Sequence, residues 1–216
     1  MLRDKIFRWP ELCEDCQARE SRRRCRKEKK EQLQQRLDRL LAPLVRKSHL
    51  RKIAPLLREK MLHLPAGKGL LLYGPPGVGK SYAMCALMRH YAMKNFSILR
   101  ISYDDLCLEI RDTYANGKSE KMIIKRFREP DKLLIEDVGT SVGTGAQETD
   151  FSLRTFLLIL DYRLEHCKPT FITTNKSVEE LGRSFDQRVA SRLRQACEII
   201  LVSGRDRRTN GLLSES

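Results

Sequence analysis

The chain has 216 residues, 41% of them hydrophobic, and carries 42 Lys and Arg against 28 Asp and Glu, a formal charge of +14. That length suits one core domain with an appendage, and the pI of about 9.7 points to a polyanionic partner. No run approaches the roughly 18 apolar residues of a membrane span, and the charged start of the chain contains no leader-like apolar stretch, so the expectation is a cytoplasmic protein with no membrane partner.

Residues 1–60 hold 19 Lys and Arg and 9 Asp and Glu, so most of the excess charge belongs to the N-terminal region. Such an arm reads either as a solvated extension or as a nucleic-acid contact. Cys13 and Cys16 form a C-x-x-C pair with Cys25 further on. Such a pair can hold tetrahedral Zn²⁺, but a closed site needs four ligands, and reduced cysteines on a basic helix are the alternative. Seven scattered cysteines fit reduced thiols better than a disulfide frame.

After the charged run 22–30, Leu33, Leu37, Leu40, Leu41, Leu44 and Val45 recur at helical steps, and that helix should bend or end near Pro43. A second helix is expected from Ser48 as N-cap through Leu50, Ile53, Leu57 and Met61, stopping at Pro65-Ala66-Gly67. The region 1–65 therefore reads as a basic helical unit for partner or DNA binding, ahead of a core in 66–216.

From Lys68 onward short apolar runs alternate with helical segments, the pattern of an α/β parallel sheet with helices on both faces. The predicted strands are 69–73, 97–101, 132–135, 170–174 and 198–202. About thirty residues separate the second from the third, enough for two helices. The stretch 140–150 is rich in Gly and Thr and reads as a mobile loop.

Gly74-Pro75-Pro76-Gly77-Val78-Gly79-Lys80-Ser81 fits G-x-x-x-x-G-K-[ST] between a strand and a helix that opens with Tyr82. The glycines let backbone N–H groups turn toward phosphate oxygens, and the helix adds its positive end. Lys80 would neutralise the β and γ phosphates of ATP, and the Ser81 hydroxyl would ligate Mg²⁺. Glu136 and Asp137 end an apolar strand, where one acid can hold Mg²⁺ and the next can orient or deprotonate water. Asn175 closes the following strand, either as a turn residue or as a bridge between γ-phosphate and water. Arg188 and Arg192 stand one helical turn apart, either as a solvated face or as cations that reach a neighbouring copy's nucleotide.

These motifs, with Val138-Gly139 and the ending Ser203-Gly204-Arg205-Asp206-Arg207-Arg208, resemble the AAA+ ATPases of the DnaC/IstB group over about residues 68–208. The resemblance implies a five-stranded three-layer core without a C-terminal lid domain, and an initiator-type helical insertion ahead of Leu133. It makes Asn175 the first sensor, Arg192 a finger acting in trans in a homo-oligomer, and Arg208 a second sensor, with Arg207 as the neighbouring alternative. The acids run Glu136-Asp137 where the group has Asp first, which shortens the base and predicts slow ATP hydrolysis. The implied function is a helicase-loader-like ATPase in DNA replication that assembles on single-stranded DNA and delivers a replicative helicase. The alternatives are a transposition helper acting on duplex DNA with a transposase, and a nucleotide-gated adaptor that barely turns over.

Overall fold

The computed structural model describes residues 14–41, 47–115, 120–139 and 150–207. Its sheet has five strands: β1 (Gly69–Tyr73), β2 (Ile98–Ser102), β3 (Lys132–Val138), β4 (Thr170–Thr174) and β5 (Cys197–Leu201). All pairings are parallel, in the order β2-β3-β4-β1-β5. The helices are α1 (Glu14–Leu40), α2 (Pro55–Leu62), α3 (Lys80–Met93), α4 (Tyr103–Ala115), α5 (Glu120–Arg128), α6 (Asp150–Glu165), α7 (Val178–Ser184) and α8 (Gln187–Ala196).

Side chains alternate across a strand, and here they divide the core into two apolar layers. Leu70, Leu72, Leu134 and Phe171 face Met84, Leu87 and Met88 of α3, with Met61 of α2 joining them. Leu71, Ile101, Leu133, Ile135 and Ile172 face the other way, toward Phe127, Phe156, Leu160 and Leu193. Helices thus cover both faces of a parallel sheet, which is why the inner strands read as nearly continuous apolar runs. The two helices expected before β3 are α4 and α5, and the fold class is the α/β three-layer core foreseen from sequence.

The N-terminal elements differ from expectation in two places. Pro55, not Ser48, opens the second helix: Ile53 is extended (φ −87°, ψ 141°), and Leu50–Lys52 form only a 3-10 turn. A proline is well placed at the first position of a helix, where its missing N–H costs nothing. The Ser48 hydroxyl is instead buried without a hydrogen-bond partner among the described residues. The first helix ends at Leu40, ahead of Pro43, and begins as early as Glu14. Leu33, Leu37, Leu40 and Leu41 of this stripe pack against Cys85, Ala92 and Ile98. Residues 17–32 of α1 are exposed along their length, with only spaced ion pairs such as Arg24–Glu20 at 3.1 Å, each worth a few tenths of a kcal/mol. Leu44, Val45 and the loop 140–149 lie outside the described residues.

Candidate functional site

In an open α/β sheet a ligand meets the carboxyl ends of the strands where the strand order changes. β1 sits between β4 and β5, and the loop that leaves it for α3 lies at such an end. Gly74, Gly77 and Gly79 have φ of 139°, 77° and 100°, so the loop turns through backbone states that L side chains avoid. At Gly77 a Cβ would lie 1.9 Å from Asp206 Oδ1, so any side chain there would have to displace that carboxylate and also adopt a left-handed backbone. Gly79 caps α3 directly, aiming the helix N-terminus into the loop.

Lys80 is buried and donates to Gly74 O (2.7 Å), Pro75 O (2.7 Å) and Asn175 Oδ1 (2.8 Å). The asparagine at the end of β4 thus touches the phosphate-loop lysine across 95 residues of sequence. The pairing of β3 with β4 is interrupted between Ile135 and Val138. Bulges of this kind re-aim side chains beside active sites. Asp137 occupies the break with φ of 56° and an exposed side chain, and its N–H donates to Thr173 Oγ1 at 3.1 Å. The Thr174 hydroxyl then donates to Val138 O at 2.7 Å, tying the two strand ends together.

Glu136 points inward and is only 4% exposed. Its Oε2 lies 2.5 Å from Arg100 Nη2, while its Oε1 is buried with no hydrogen-bond partner among the described residues. Burial pushes the Glu136 carboxyl above its usual range; the Arg100 guanidinium and the Ser81 hydroxyl oppose that rise, and the Asp137 charge adds to it. An orphaned carboxylate oxygen beside a serine hydroxyl is the donor set a hard cation takes. Ser81 and Glu136 therefore fit the Mg²⁺ of a bound nucleotide. Among the described residues there is no cluster of three or more metal-ligating side chains.

The remaining candidates are distributed as follows. Tyr82 is half-buried, and its hydroxyl accepts from His49 N–H at 3.3 Å, so it ties the N-terminal segment to the start of α3. Arg188 pairs with Asp186 at 2.8 Å, and Arg192 pairs with Asp161 of α6 and donates to Gln195 Oε1 at 3.1 Å. Both arginines line a groove with Leu157, Phe185 and Asp186, to which the phosphate loop contributes nothing. Arg208 lies outside the described residues, whereas Arg207 donates its N–H to Gly77 O at 3.0 Å and its side chain lies beside Gly79. Cys13 and the Cys16 side chain lie outside the described residues, but Cys16 and Cys25 share α1. Nine residues of helix separate them by roughly 13 Å, whereas thiolates sharing a zinc each sit about 2.3 Å from it. Sharing a single zinc between Cys16 and Cys25 would require this helix to break, and the zinc set of Cys13, Cys16 and Cys25 falls partly outside the described residues.

Two residues escaped the sequence reading. Arg100 interrupts the apolar run of β2 and holds Glu136. Arg163, in the apolar stretch of α6, is fully buried. A lone cation inside an apolar strand or helix face was the available signal in both cases.

A parallel five-stranded core with this loop, an acidic strand end and a strand-end asparagine defines a P-loop ATP-binding protein of AAA+ type. The chain belongs to the family of IstB-like ATP binding proteins, whose family description matches residues 14–211. It is 28% identical over 122 residues to the replicative helicase loader DnaC of Escherichia coli (strain K12), covering 56% of this chain and 48% of that protein. It is 27% identical over 115 residues to the protein assigned as the ATP-binding protein of insertion sequence IS5376 in Geobacillus stearothermophilus, covering 53% of this chain and 43% of that protein. The chain thus matches about half the length of these curated relatives. A crystal structure of the DnaC helicase loader superposes with a TM-score of 0.62 at 22% identity, over 75% of this chain and 100% of that one, which establishes the shared fold.

Proposed function

We propose that this protein is an ATP-dependent switch that assembles on single-stranded DNA and delivers a replicative helicase. The observation that carries the reading is the hydrogen bond from Lys80 Nζ to Asn175 Oδ1, 2.8 Å long. A γ-phosphate entering the loop competes for the same lysine, so the occupancy of the site is felt at the end of β4 and at the start of α7, which follows it. Bound Mg²⁺ would neutralise phosphate charge between Ser81 and Glu136. The chain itself supplies the rest: the loop N–H groups hold phosphates, Lys80 balances their charge, and Asp137 holds water or takes its proton.

ATP favours assembly and hydrolysis favours release in this account, with Arg192, and Arg188 beside it, completing the site of a neighbouring copy. Arg192 must leave Asp161 to do so, which makes assembly and the intramolecular ion pair alternatives. The basic surface of α1 supplies the sequence-independent attraction to DNA. The second reading, a transposition helper on duplex DNA, is favoured by the insertion-sequence relative.

Strand preference separates the two. Fluorescence anisotropy with labelled single-stranded and duplex oligonucleotides, in the presence of a non-hydrolysable ATP analogue, is expected to give tighter binding to the single strand. The affinity should fall steeply with salt, and further when residues 1–31 are removed, a truncation that leaves the packed leucines of α1 in place. Tighter binding to duplex supports the transposition reading, and equal affinity of full-length and truncated protein removes the role of the arm.

A further inference from the structure

β2 is an edge strand of sequence Ile-Leu-Arg-Ile-Ser, and Arg100 is its one charged residue. β2 and β3 are in register with Ser102 opposite Glu136 and Arg100 opposite Leu134. Arg100 and Glu136 therefore project from the same face of the sheet, one pleat apart, toward α3. The guanidinium meets Glu136 Oε2 at 2.5 Å, with 26% of the Arg100 side chain and 6% of the Glu136 side chain exposed. It also acts on the buried Cys85 thiol, which follows Ser81 by one turn of α3.

The acid at this place is a glutamate, with one more methylene and one more torsion than aspartate. Unrestrained, its carboxylate would spread over several rotamers, few of which present an oxygen to Ser81. Held at Oε2, it leaves Oε1 buried with no partner. The geometry points to Arg100 as a positioning residue: it takes one oxygen of Glu136 and thereby leaves the other for the cation that accompanies a nucleoside triphosphate. This inference rests on the ATP reading of the loop.

The guanidinium also repels a divalent cation, so two effects of opposite sign act on Mg²⁺. The clamp acts on the near oxygen at hydrogen-bond distance, whereas the repulsion crosses the whole carboxylate and is offset by the charge of Glu136 itself. Orientation wins, and outer partners of metal ligands typically change metal affinity 10–100-fold.

The test is a Mg²⁺ titration of wild type and Arg100→Gln, read by the fluorescence of a bound ATP analogue, with EDTA controls and the melting temperature of nucleotide-free protein. Arg100→Gln is expected to raise the half-saturating Mg²⁺ concentration about tenfold or more, with nucleotide affinity in EDTA near that of wild type. In a Glu136→Asp background, where the shorter carboxylate no longer reaches the guanidinium, Arg100→Gln should shift the midpoint little. A midpoint that is unchanged or lower in Arg100→Gln overturns the proposal, as does an equal loss of affinity in EDTA. If the Gln variant does not fold, Arg100→Lys decides: a single ammonium grips less rigidly, so the proposal requires a midpoint raised several-fold, and an unchanged one overturns it. Failure of the wild type to bind the analogue in EDTA and in Mg²⁺ alike would instead remove the ATP reading, so the two failures are distinct.

Discussion

Replacing Lys80 with alanine is expected to lower ATP affinity at least about 100-fold, because a buried charge-assisted contact to phosphate is worth roughly 3 kcal/mol or more. The lysine is 5% exposed and held by two loop carbonyls and Asn175, so its position is set before nucleotide arrives. Removing it leaves Gly74 O, Pro75 O and Asn175 Oδ1 without their donor as well. Asp137→Asn should behave in the opposite way. Asparagine tolerates the left-handed backbone that Asp137 adopts at φ 56°, so fold and binding persist. The loss of a general base should cut turnover by about 10²–10⁴-fold. Isothermal titration with an ATP analogue and a phosphate-release assay separate the two variants. Normal hydrolysis by Asp137→Asn would remove the base assignment, and normal binding by Lys80→Ala would remove the phosphate site.

The second large effect concerns stability. Arg163 is 0% exposed, and its guanidinium donates to Thr170 Oγ1, Phe127 O, Arg128 O, Pro130 O and Pro169 O at 2.8–3.1 Å. Burial pulls its pKa down to about 10, so it remains charged at neutral pH. One side chain on α6 therefore pins the end of α5, the turn into β3 and the start of β4. The staple holds the amino ends of the two strands whose carboxyl ends carry Glu136 and lead to Asn175. Arg163→Met fills similar volume but takes the donor away from five acceptors in a buried to half-buried seam, of which Pro169 O keeps a long contact from Leu133 N–H at 3.5 Å. Breaking buried charged networks costs about 3–5 kcal/mol, which in a chain of this size lowers the melting temperature by roughly 10 °C. Thermal unfolding followed by circular dichroism measures it; a shift of less than about 2 °C would show that the carbonyls find water instead.

What the sequence carried locally, it carried well. β1 and β4 were legible to the residue because strands buried on both faces are apolar runs bounded by turns. β3 ran on to Val138 instead of stopping at Ile135, because a bulge let two acids remain within the strand. The start of α1 gave no apolar period: residues 14–31 are polar all round, and only their helix-favouring composition marked them. The false start at Ser48 arose because Leu50, Ile53, Leu57 and Met61 keep helical spacing although Ile53 is extended. All four pack on the same cluster, so burial imitated periodicity. In the site, the loop, the acids and Asn175 announced themselves by strand-end position. Arg100, Arg163 and the ion pairs of Arg188 and Arg192 depend on strand order and helix packing, which no local pattern encodes.

We propose that ATP controls assembly on single-stranded DNA through an arginine offered to a neighbour. The most direct test is the mass distribution of the protein on a labelled single-stranded oligonucleotide, compared between a non-hydrolysable ATP analogue and ADP, for wild type and Arg192→Ala. Multimers are expected with the analogue, dispersal with ADP, and loss of the multimers in Arg192→Ala although the variant monomer still binds nucleotide. Identical distributions with analogue and ADP, or full assembly by Arg192→Ala, would contradict the proposal.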